Sequence, residues 1–73
     1  MIVIIKISGN DHAIEVKPEN TILYLKYKIQ DELHIDVRQQ RLIFNGSSMP
    51  DENTLQKLGV RENSKIHLLL SMI

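Results

Sequence analysis

Gln40-Arg41-Leu42-Ile43-Phe44, followed at once by Asn45-Gly46, is the stretch on which the reading of the fold turns. Three consecutive apolar residues running into an Asn-Gly dipeptide read as a strand that ends in a tight turn. Ser47-Ser48-Met49 then makes at most a short edge strand, which Pro50 and Asp51 close. Side chains alternate between the two faces of a strand, so if Leu42 and Phe44 point into the core, Ile43 points at water.

The same anomaly recurs near the C-terminal end. Lys65 to Leu70 reads as a last strand, and the alternation that buries Ile66 and Leu68 sends His67 and Leu69 outward. If these two strands are neighbours, Ile43, His67 and Leu69 form one apolar patch holding an imidazole. Gly46 borders it and lets a partner's backbone come close. Singly, exposed apolar residues are ordinary on any protein surface, and the alternation alone leaves both readings open.

The remaining chain supplies one helix and a hairpin. Met1 to Ile7 is almost wholly apolar and rich in isoleucine and valine, which suits a strand; Ser8-Gly9-Asn10-Asp11 interrupts it. Beyond the break, His12, Ile14 and Val16 alternate with Ala13, Glu15 and Lys17 as a half-buried second strand. A two-residue Gly-Asn turn pairs Val3 with Val16 and Ile5 with Ile14, and a longer loop slips the register by two; either way the same face is inward. Pro18 stops that strand. Thr21 is positioned as the N-cap of a helix whose apolar stripe is Ile22, Leu25, Ile29 and Leu33, ending near His34. No glycine follows to supply a left-handed cap there, though histidine enters that conformation more readily than β-branched residues do. Thr54 to Gly59 reads as one short helical turn that buries Leu55 and Leu58. The order strand, strand, helix, strand, short strand, strand predicts one α+β domain spanning residues 1–73.

Composition narrows the function. With 73 residues the chain can build one small core, and with no cysteine it has neither a disulfide nor a thiolate nucleophile. Nine Lys and Arg balance nine Asp and Glu, and both signs are scattered, so no basic stripe suits a phosphate backbone. Apolar runs fall well short of the about 20 residues that span a bilayer. His12, His34 and His67 lack ligand spacing, no glycine-rich phosphate loop or nucleophile elbow is present, and a filled core leaves little room for a pocket of about 300 Å³ or more. The expectation is a soluble, monomeric, cytoplasmic or nuclear protein that is not an enzyme, uses no metal or cofactor, and binds neither nucleic acid nor membrane.

From end to end the chain resembles the ubiquitin family. The densest match is Gln39-Gln40-Arg41-Leu42-Ile43-Phe44 with Gly46 following. Lys6, Glu15-Val16-Lys17-Pro18, Thr21-Ile22, Lys26, Lys28-Ile29-Gln30-Asp31, Thr54-Leu55 and Ile66-His67-Leu68 match in order. The resemblance implies a β-grasp fold: a mixed sheet with its first and last strands parallel at the centre and one main helix across one face. It also implies that Ile43, His67, Leu69 and Gly46 align with the family's main recognition surface. The leucine that the family carries in its first hairpin loop has no counterpart, and Ile7 and Ser8 stand nearest to it. The implied partners are proteins: ubiquitin-associated domains, ubiquitin-interacting helices, and proteasome or chaperone receptors.

Two alternatives accompany that reading. A conjugated modifier needs a terminal Gly-Gly, whereas the sequence as it stands closes Leu70-Ser71-Met72-Ile73, with Ser71 in place of a family arginine. Ser47 and Glu62 replace the two main chain-forming lysines, while Lys6, Lys26 and Lys28 are kept and read first as solvated charges. The other alternative is an architectural domain packed inside a larger protein. Leu23, Tyr24 and Tyr27 lie off the helix's buried stripe and, with Ile2 and Ile4 on the first strand, are candidates for a second contact surface; local packing is the plainer reading for the helix residues.

Overall fold

The computed structural model describes residues 1–71. Of the closing residues quoted above, Met72 and Ile73 lie outside the described residues.

The elements are β1 (Ile2–Ile7), β2 (Asn10–Glu15), α1 (Ile22–Leu33), a 3-10 turn (Val37–Gln39), β3 (Gln40–Phe44), β4 (Ser47–Ser48) and β5 (Lys65–Leu70). They build a five-stranded sheet in the order β2-β1-β5-β3-β4. β1 and β5 run parallel at its centre, and the other pairs are antiparallel. This is the mixed β-grasp arrangement that the resemblance implies. The core lies between the sheet and α1: Val3, Ile5, Leu42, Ile66 and Leu68 from the strands meet Ile22, Leu25 and Ile29 from the helix. Leu33 and Phe44 are only partly buried, because both sit where the core thins out.

The helix begins and ends as its sequence suggests. The Thr21 hydroxyl accepts a hydrogen bond from the Tyr24 amide at 3.1 Å, so one of the orphan N–H groups of the first turn is satisfied. His34 takes the left-handed conformation, φ 60° and ψ 37°, and donates its N–H to the Gln30 carbonyl.

The first hairpin takes a register two residues away from the Gly-Asn pairing, reached by a two-residue turn one position earlier and not by a longer loop. Ile7 faces Asn10 across a two-residue Ser8-Gly9 turn, so Val3 pairs with Ile14 and Ile5 with His12. Ser8 (φ 48°) and Gly9 (φ 81°) both have positive φ, as a type I′ turn demands. Glycine is favoured at the second central position of that turn, which makes Ser8-Gly9 the turn and puts Asn10 in the strand. The slip is two residues, so the inward face is unchanged, and the Val16 amide still donates to the Met1 carbonyl at 2.8 Å.

Thr54 to Gly59 forms a single turn, with the Leu58 amide donating to the Thr54 carbonyl at 3.3 Å. Leu55 is fully buried there, but Leu58 is only half-buried, a correction to the expectation that both are in the core. Gln40 is the buried polar residue that sequence reasoning left out. Its side-chain Nε2 donates to the carbonyls of Lys26 (2.8 Å) and Ile35 (3.0 Å), tying β3 to the helix and to the segment after it.

Candidate protein-interaction face

Pairing across the sheet determines which outward side chains touch. Ile43 on β3 stands opposite His67 on β5, and Leu69, two residues along β5, stands opposite Arg41. On the far side of His67 the parallel pairing brings Lys6 of β1 alongside, and Lys6 in turn faces Asp11 of β2. One row therefore runs Ser48, Ile43, His67, Lys6, Asp11 across all five strands. A second row holds Lys65, Ile4 and Ala13. The three residues singled out from alternation thus meet on the face opposite α1. Ile43 is half-buried, His67 is exposed, and Leu69 is 54% exposed.

Gly46 sits in the two-residue Asn45-Gly46 turn between β3 and β4, next to the strand that carries Ile43. Its φ of +79° is the reason for glycine there, since a Cβ built on it would meet nothing within 4 Å. That open space leaves the backbone approachable at the rim of the patch.

The other candidates divide between the two faces. Ile7 packs against the core rather than joining the patch, because it has the same parity as Val3 and Ile5. Ser8 is exposed in the hairpin turn. Leu23, Tyr24 and Tyr27 are 37%, 48% and 52% exposed on α1. Ile2 and Ile4 are half-buried on the outer side of the sheet, so they do not share a surface with the helix residues. Ile4 instead adjoins Lys65 and extends the Ile43 side.

Charge on the outer face is uneven. Lys6, Lys65 and Arg41 flank the apolar centre, while Asp11 and Glu15 lie on the outermost strand, β2. Lys6 reaches Asp11 at 3.4 Å, and Lys26, on the helix, is held to Asp51 at 2.7 Å with its side chain only 14% exposed. At the exposed 3-10 turn, the Arg38 guanidinium and backbone amide bond the Asp36 carboxylate and hold it below the usual range for an aspartate. Arg41 and Leu70, the latter 62% exposed, were not singled out from the sequence. Alternation marks Arg41 as outward, whereas Leu70 has inward parity and overruns the core.

The surface carries grooves larger than the sequence suggested. One of about 400 Å³ is lined by Glu15, Lys17, Tyr24 and Lys28, and one of about 350 Å³ by Lys26, Arg38, Gln40 and Arg41. Both are open to solvent. Among the described residues, no three His, Cys, Asp or Glu side chains gather as metal ligands would.

Comparison with known proteins agrees with this geometry. Residues 2–73 match the model of the Ubiquitin family. Ubiquitin-like protein 4A of Rattus norvegicus is 33% identical over 64 residues, which cover 88% of this chain and 41% of that protein. The Xenopus laevis and Homo sapiens proteins of that name are 31% and 30% identical over the same share of this chain, covering 43% and 41% of their own lengths. The chain thus spans less than half the length of these relatives. With the sheet order, the helix and the family match all in agreement, the chain belongs to the ubiquitin family.

Proposed function

We propose that this domain is a non-catalytic protein-interaction module of the ubiquitin–proteasome pathway in the cytoplasm or nucleus. Ubiquitin-associated domains, ubiquitin-interacting helices or proteasome receptors bind it through the outer face of its sheet. The observation that carries the reading is the pairing of Ile43 with His67 beside Leu69, which turns three separate outward residues into one patch. Its flanking cations favour a partner with an apolar anchor next to acidic side chains.

The test is an NMR titration with a ubiquitin-associated domain and with a ubiquitin-interacting helix, run on wild type and on Ile43→Ala. The variant loses a contact that is complete only in the complex. Its affinity should fall by about 1–3 kcal/mol, roughly tenfold to a hundredfold, while the spectrum stays folded. Unchanged affinity in the folded variant excludes this face. Shifts clustering at Leu23, Tyr24 and Tyr27 instead would move the site to α1.

A further inference from the structure

The chain has five asparagines, and one of them is set up to react with its own backbone. Deamidation begins when the amide nitrogen of the following residue attacks the asparagine side-chain carbonyl. The new N–C bond closes a succinimide ring and ammonia leaves. Water then opens the ring at either carbonyl, giving aspartate or isoaspartate. The step is fastest before glycine, because a side chain on the attacking residue crowds the ring.

Asn45 is followed by Gly46, both are exposed, and a Cβ on Gly46 would have met nothing within 4 Å, so the tip of the turn is open. Among the described residues the Gly46 amide donates no hydrogen bond and the Asn45 side chain makes none. The turn is closed by the two-residue strand β4 and, beyond it, by the Met49 amide on the Leu42 carbonyl at 3.0 Å, so among the described residues the Asn45-Gly46 tip itself is free of bonds to any other part of the fold. The other four asparagines are restrained. Asn20 holds the Lys17 amide at 2.7 Å and precedes β-branched Thr21. Asn53 also precedes a threonine, and Asn10 lies within β2. Asn63 is exposed and left-handed like Asn45, but the attacking nitrogen there, that of Ser64, is engaged with the Arg61 carbonyl at 3.0 Å.

We propose that Asn45-Gly46 is a spontaneous deamidation site at the rim of the interaction face. The aspartyl product puts a carboxylate beside the strand that carries Ile43. The isoaspartyl product also adds a carbon to the main chain of a turn whose two central residues must both keep positive φ, at 52° and 79°. The Phe44–Ser47 and Ile43–Ser48 pairs are then the ones displaced.

The test needs no partner, so it stands or falls apart from the proposed interface. The folded domain is incubated in mildly alkaline buffer and digested, and the peptides are mapped by mass with an isoaspartate-specific assay. The expected result is the amide-to-acid mass gain in the peptide holding Asn45, as a split peak of aspartyl and isoaspartyl forms, before any gain at Asn63. Asn45→Gln should abolish it. An unchanged Asn45 peptide, or Asn63 reacting first, overturns the proposal. In the isoaspartyl fraction, cross-strand NMR contacts between Phe44 and Ser47 should be lost while those between β1 and β5 persist; an unaltered turn would overturn its structural consequence.

Discussion

Leu42 and Ile43 are consecutive, both aliphatic and close in size, and the pleat sends them to opposite faces. Leu42 is 1% exposed between β3 and the helix, whereas Ile43 is half-buried on the outer face against His67. Truncating Leu42 to alanine removes packed core volume, and should cost about 2–5 kcal/mol of folding stability in a urea melt. Where the variant is still folded, its affinity for the partner should be that of wild type. A Leu42→Ala domain that melts like wild type but fails to bind would place Leu42 outside and invert the assignment. Gln40 shows the limit of reasoning residue by residue. Alternation marks it as inward, but nothing in the sequence says that its amide will satisfy two carbonyls from other segments, nor that its buried Oε1 will be left without a partner.

At the scale of the element, boundaries follow from local chemistry. Thr21 caps α1 because its hydroxyl reaches the Tyr24 amide, and His34 ends it by turning left-handed. Thr21→Ala should lower stability by about 1 kcal/mol, within a range of about 0.5–2, because one N–H of the first turn loses its partner. A loss much below that range in denaturant melts would show that the cap contributes little beside the backbone ties of this segment, where the Ile22 amide donates to Asn53 and the Leu23 amide to Asp51. Residues 8 to 11 signal a turn but allow more than one register. The choice falls to Ser8-Gly9 because a type I′ turn favours glycine at its second central residue, and the pairing on either side follows.

Across the whole molecule, the sheet order gives the outer face its charge. Lys6 comes from one end of the chain and His67 from the other, and they are neighbours only because β1 and β5 pair in parallel. Together with Arg41 and Lys65, Lys6 flanks the apolar centre with positive charge, so affinity for an acidic partner should fall as salt rises, mainly through slower association. Arg41→Glu should weaken binding by about 1 kcal/mol or less at low salt and leave the melt unchanged, as expected of an exposed charge at a rim. Binding insensitive to salt, or strengthened by Arg41→Glu, would exclude an acidic partner. By itself the sequence determined the identity and order of the elements, the face that each apolar residue takes, and the outward placing of Ile43, His67 and Leu69. Those are matters of period and turn chemistry, acting over a few residues. Only the tertiary structure decided the hairpin register and the gathering of Lys6 and Arg41 about the patch. These depend on backbone hydrogen bonds between strands far apart in the chain, and no local pattern specifies which strands will pair.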